Sequence, residues 1–289
     1  MTVLGLCCLA DSITFKTITL KKYNSLSEAE KITAIEDIYL ANIAMLNNAI
    51  QFCFDNQIMM YRMSSSMFPL SDYCSIAYEI FNEMKDELSV VGSKANKLKV
   101  RLLQHPSQFV VLNSDNAEVI DKSVHNLKLH ALLMNYLKQP KTHKALLNIH
   151  GGKRDNLDLL IKTINNLDSD IKSRLTLEND EDYYCVKDLY YIYEHTGVPI
   201  LFDFHHYLVK HKLKSYDSGY MEVALETASS TWSDNCQTCH LSNGFSSFHD
   251  RKHSYELKVF PEICTTVPYL EMEFRSKEHS IFAAKELLK

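Results

Sequence analysis

Short apolar runs that stop abruptly at polar residues set the rhythm of this chain. Eight stretches share the form: VLGLCCLAD at 3–11, QIMMYRMSSS at 57–66, LKVRLLQHP at 98–106, ALLNIHGG at 145–152, SRLTLEND at 173–180, PILFDFHH at 199–206, NCQTCHLS at 235–242 and YLEMEF at 269–274. Near-continuous apolar runs of about four to eight residues are what strands buried on both faces look like. Between most of them the period changes to that of a helix. The clearest case is LSEAEKITAIEDIYLANIAMLNNAIQFCFDN, where Ser27 and Glu30 make a capping box and apolar residues recur every three or four positions. Residues 116–137 and 181–197 read the same way, with Gly197 placed to end the second helix. Strand and helix alternating eight times predict an α/β fold, a (β/α)8 TIM barrel, as a single domain over residues 1–289. The 235–242 run is the least strand-like, and 207–231 is left without an element.

In such a barrel the C-terminal strand ends converge on one mouth. This chain puts His105, His150, Glu178, Asn179, Asp203, His206, His240 and Glu273 there. Mixed imidazoles and carboxylates suit Zn2+ or Mn2+, whereas Mg2+ alone favours oxygen ligands. There are too many for one tetrahedral ion, so a cluster of two or three ions bridged by a carboxylate is expected, an arrangement suited to in-line displacement at phosphorus. The plainer alternative is a polar ring that only satisfies itself at the barrel rim. Burying that many titratable groups without ions is costly.

Composition narrows the class. Hydrophobic residues make up 46% and charged residues 23%, with only 7 glycines and 6 prolines, which excludes collagen-like and disordered chains. The 8 cysteines include several inside apolar runs, and no signal-like segment precedes them, so free thiols and an intracellular location (cytoplasm, nucleus or viral particle) are expected. No apolar run approaches the roughly 20 residues of a membrane span, so no membrane partner is expected. A net charge of −5 argues against a coat of nucleic acid but permits a local basic groove.

Other motifs carry weaker chemistry. Cys236 to His240 spell CxxCH, a haem-attachment pattern that needs export, while a zinc site would need a second cysteine pair. His240 is therefore read as the functional residue and the cysteines as strand filling. Arg62 could meet an anion or sit in an ion pair. Lys153 and Arg154, in GGKRD, suit a phosphate backbone or a solvated loop. Gln108 and Phe109, after His105, could wedge into a base stack or pack as loop residues.

Taken in order, YRMSSS, HPSQFVVLNS, NIHGG, LTLEND, FDFHH, CHLSNG, HSYEL and LEMEFRSKE resemble the UV damage endonuclease family of the UvdE type, from about residue 3 to 288. The resemblance implies a TIM barrel related to endonuclease IV, Mn2+ as cofactor with Zn2+ or Mg2+ as substitutes, and nicking of damaged double-stranded DNA 5′ to the lesion, leaving a 3′-hydroxyl and a 5′-phosphate. It implies the ligands His105, His150, Glu178, Asp203, His206, His240, His253 and Glu273. Glu178 is the bridging acid, and Glu178, His240 and Glu273 are the centre of catalysis. Gln108 and Phe109 match a lesion-probing pair, with Arg62, Lys153 and Arg154 as DNA contacts, and a monomer is expected. His205 falls outside the D-x-x-H spacing of Asp203 and His206.

The chain departs from the family at Ser66, where some members carry a histidine ligand, at Thr238, where some carry a lysine, and at Arg275, where a lysine is common; Lys277 and Glu278 fit. Three alternatives stay open: an apurinic endonuclease, a sugar isomerase of the xylose isomerase type, and a DNA-binding barrel with weakened catalysis.

Overall fold

The computed structural model describes residues 2–152 and 156–288. Eight strands lie one in each predicted stretch: β1 Val3–Cys7, β2 Met60–Met63, β3 Arg101–Gln104, β4 Leu147–His150, β5 Leu175–Glu178, β6 Ile200–Asp203, β7 Thr238–Leu241 and β8 Tyr269–Met272. They pair in parallel in chain order and close, with β8 back on β1 through Val3 opposite Tyr269 and Leu6 opposite Met272. The α/β reading is thus a closed barrel, β7 included.

Side chains alternate across each strand, so one parity faces the barrel axis and the other the helices. The inward parity is apolar at the bottom, where Met60, Leu103, Leu146 and Leu201 form their own cluster with Val3, Trp232 and Tyr269 packed against it. Two and four residues further along, the same parity turns polar: Arg62, His105, Asn148, His150 and Asp203. The outward parity joins the helices in one continuous core. Helix Glu28–Asp55 shows how: Ser27 and Glu30 close the expected capping box, and Ile35, Tyr39, Ile43, Leu46 and Ile50 are buried along one face. Helix Lys85–Leu98 runs so close to the next layer that a Cβ on Gly92 would lie 1.9 Å from the Leu137 carbonyl oxygen.

Two segments differ from the periodicity reading. The helix expected over 181–197 begins at Val186. The Asp180 carboxylate accepts the amides of Asp182 (2.8 Å), Tyr183 and Tyr184 (3.3 Å), and this local turn outcompetes the first helical turn. Gly197 does end the helix, at φ 73°. The unassigned 207–231 segment holds helix Gly219–Ser229 and most of helix Phe204–His211. All eight cysteines are free, with Cys236 and Cys239 buried. Among the described residues no helix is long and apolar enough to cross a membrane.

Candidate metal centre

Glu178, at the end of β5, is 1% exposed and stands at the middle of the mouth. Its Oε2 lies 3.1 Å from His105 Nε2 and 3.9 Å from His150 Nε2. Its Oε1 lies 3.2 Å from His240 Nδ1 and 3.3 Å from His206 Nδ1. Four imidazoles, three from strand ends and His206 from the helix after β6, therefore share one carboxylate. Beneath it, Thr176 donates to Asn148 Oδ1 (2.9 Å) and the Asn148 amide donates to Glu178 Oε2, which fixes the carboxylate plane from inside the barrel. Burial disfavours charge on Glu178, yet His240 and His150 beside it, with hydrogen bonds from His105 and His206, hold its carboxyl well below the usual range.

Asp203 ends β6 and caps the helix that follows at once. Its Oδ1 accepts the His206 amide at 2.7 Å. That cap puts His206 one turn on, over the mouth. Burial opposes a proton on His206, but Asp203, Glu178 and Glu181 outweigh it and lift its pKa well above the ordinary value. His205 points elsewhere: its Nδ1 pairs with the Tyr216 hydroxyl (2.7 Å) and its Nε2 with the Asp250 carbonyl (2.8 Å).

On the far side, His240 sits between Glu178 and the β8 acids. Its Nε2 meets Glu271, and its Nδ1 lies 3.3 Å from Glu273 Oε1. Arg62 pairs with Glu273 and lies 3.8 Å from Glu271, so its guanidinium orients those acids rather than standing free at the surface. Burial opposes charge on Glu273, but Arg62, His240 and His253 hold its carboxyl far down. His253 Nδ1 stands 3.6 Å from Glu273 Oε2 at the rim.

At the mouth, three sets of ligand atoms lie within 4.8 Å of one another: His105, His150 and Glu178; Glu178, Asp203 and His206; Asp203, His240 and Glu273. Glu178 and Asp203 each belong to two sets, which is the pattern of carboxylates bridging neighbouring cations. Seven of the eight expected ligands are in these sets; the eighth, His253, touches only their edge. The donors suit divalent cations, and Asp203 Oδ2 is buried without a hydrogen-bond donor, as a metal-facing lone pair would be. Gln108 and Phe109 are exposed on the loop after β3, Phe109 at 79%. Lys153 and Arg154 lie outside the described residues. A cleft of about 530 Å3 runs from the Gln108 loop past His105, Glu178 and His206 to Glu273.

The family model described as UV-endonuclease UvdE matches residues 2–289. The chain belongs to that family. It is 38% identical over 282 residues to the UV DNA damage endonuclease of Nostoc sp., covering 96% of this chain and 88% of that one. It is 37% identical over 287 residues to the UV DNA damage endonuclease of Deinococcus radiodurans, covering 98% and 94%. The crystal structure of SacUVDE matches with a TM-score of 0.84 at 27% identity over 100% of both chains. Endonuclease IV from Thermus thermophilus shares the fold, with a TM-score of 0.56 at 13% identity over 83% of this chain and 92% of that one.

Within this UvdE-family nuclease the departures sit in different places. Ser66 is exposed, its hydroxyl 2.9 Å from that of Ser64. Thr238 is buried in β7, its hydroxyl donating to the Cys236 carbonyl. Two members of the UvdE centre escaped the sequence reading: Glu271 and Asn148. Both lie two residues before a strand-end ligand and share its inward face, so the two-residue spacing in YLEMEF and LLNIH was the available signal.

Proposed function

We propose that this chain nicks duplex DNA immediately 5′ to UV photoproducts, leaving a 3′-hydroxyl and a 5′-phosphate, with two or three divalent ions, manganese foremost, at the barrel mouth. The observation that carries the reading is the sharing of Glu178 and Asp203 between adjacent ligand sets. Such ions, when bound, stabilise both the attacking and the leaving oxygen of a displacement at phosphorus. His105, His150 and Glu178 would hold one ion, Glu178, Asp203 and His206 a second, and Asp203, His240 and Glu273 a third, with His253 closing the rim. Arg62 and Glu271 keep Glu273 and His240 in position. None of these residues needs to act as a nucleophile.

Photoproducts stack poorly, so separating them from their neighbours costs less than separating intact bases. Phe109 projects where an aromatic ring can take the vacated place, with Gln108 beside it for a base edge. Lys153 and Arg154, three and four residues after His150 in the sequence, would meet phosphates. The protein acts on damaged double-stranded DNA as an intracellular monomer in this reading.

The test is a nicking assay with Mn2+ on duplexes carrying one photoproduct, one abasic site or no damage, with an EDTA control. An EDTA-sensitive cut just 5′ to the photoproduct is expected. Glu178→Gln should lose at least about 100-fold in rate while staying folded, since even partners one step removed from a metal are worth about 10- to 100-fold. Cutting confined to the abasic duplex would move the protein to apurinic chemistry, and no cutting with little bound metal would leave a binding barrel.

A further inference from the structure

Beside the metal cleft lies a second, more enclosed cavity of about 230 Å3. Ser107, on the loop that carries Gln108 and Phe109, lines both spaces. The walls are apolar, from Met67, Phe68, Phe81, Leu129 and Leu133, with Phe68 and Phe81 edge to face at 5.0 Å. The polar lining comes from Asp72, Asn126 and His130, with serines at 64 to 66, 71 and 107.

One of these groups, Asn126, has a buried atom without a partner, and a second, His130, stands beside it. His130 is 9% exposed, and no hydrogen bond links its ring to any described residue. Burial pushes its imidazole down to about 4, so it is neutral near neutral pH, one nitrogen a donor and the other an acceptor. Asn126 stands one turn earlier on the same face of helix Ala117–Tyr136. Its amide nitrogen donates to Asp72 Oδ2 at 3.0 Å, which fixes the flip and leaves Oδ1 as a buried acceptor without a partner. Buried polar atoms without partners are rare enough to call for a ligand or ordered water.

The chemistry of the cavity selects among ligands. No lysine or arginine lines it and Asp72 does, so phosphate is disfavoured. One carboxylate already bonded to an amide, with one imidazole, is a thin donor set for a cation. The unmet acceptors call for N–H donors, and the apolar walls call for a flat, neutral body. Ligand cavities for drug-sized molecules begin at about 300 Å3, so this one suits a single heterocycle.

We propose that this cavity receives one amino-bearing nucleobase of the substrate DNA. Asn126 Oδ1 and Asp72 accept from its exocyclic amine and His130 meets a ring nitrogen. The proposal rests on the reading of the protein as a DNA nickase, and the cavity places the pocket beside the loop proposed to enter the duplex. The base could come from the damaged strand or from its complement; the recognition chemistry is the same.

Two measurements decide it. In the first, 9-methyladenine, 1-methylcytosine and 1-methylthymine are titrated onto the intact protein and followed by NMR at the His130 ring. Adenine or cytosine should shift it and thymine should not, and Asn126→Ala should abolish the shift. No shift, or equal shifts with thymine, overturns the pocket whether or not the protein nicks DNA. In the second, photoproduct duplexes carry 2-aminopurine at single positions in either strand. Binding should brighten one position, and Asn126→Ala and His130→Gln should dim it and raise KM roughly fivefold at unchanged kcat and metal content, as loss of one hydrogen bond gives. Brightening and KM untouched by either folded variant would overturn the proposal. A wild-type protein that shows the NMR shifts but nicks nothing would overturn the nickase reading alone.

Discussion

Asp203 divides its two carboxylate oxygens between two tasks, and His206 defines the first. Oδ1 accepts the His206 amide at 2.7 Å, while Oδ2 is buried without a donor. The start of a helix and a corner of the candidate metal centre are thus built by one side chain. Removing the cap alone would misplace His206, and losing the carboxylate would take one donor from each of two candidate ligand sets at once.

Glu271 is fully buried between His240 and Arg62. Glu271→Gln should keep the fold and lower nicking and metal affinity roughly 10- to 100-fold, the range seen when a partner of a metal ligand is lost. Metal content and single-turnover rate on the same preparation check this. An unchanged rate would remove Glu271 from any positioning role.

Phe109 is 79% exposed, so it supports little of the core. Phe109→Ala should leave the melting temperature and metal content as they are. It should cost roughly tenfold in preference for damaged over undamaged duplex, as losing one base–aromatic stack does. Equal preference in both proteins would assign the ring to the loop rather than to DNA.

His130 ties stability to pH. Its folded pKa, down to about 4 because of burial, lies below the ordinary value of 6.5, so the folded state prefers the neutral ring. The stability this allows is whole above about 6.5 and declines as the pH falls toward 4, by about 3 kcal/mol at most. Urea unfolding at pH 7 and pH 4.5 should show a smaller acid loss for His130→Gln than for wild type. Equal losses would mean that other groups carry the acid sensitivity.

Gly92 has no room for a side chain. Gly92→Ala should force helix Lys85–Leu98 away from the Leu137 carbonyl and cost about 1–3 kcal/mol, as overpacking does. Thermal unfolding measures it, and a stabilised variant would mean that the helix moves freely.

The barrel was readable because parallel strands buried on both faces leave a continuous apolar signature, and because each such run here ends in a chemically distinctive residue. That covered even β7, whose Cys239 fills the wall as a valine would. The helix start at Val186 was not readable from period: one carboxylate, Asp180, captured three amides that periodicity assigned to a helix. Seven of the residues expected as ligands lie together at the mouth, in the three overlapping sets of donor atoms. Glu271 and Asn148 lie one layer deeper, inside apolar runs whose composition does not mark them. His253 lies on no strand, and only likeness to the family pointed to it. Its place depends on a loop whose course no local pattern encodes.

That loop is where His205 matters again. Through Tyr216 and the Asp250 carbonyl, His205 holds the 242–256 segment, and Tyr216 also donates to the Ser242 carbonyl. The mouth of this barrel is therefore not a set of interchangeable loops. The segment bearing His253 inherits its position from the end of β6, and a designer transplanting either loop into another barrel would have to carry both.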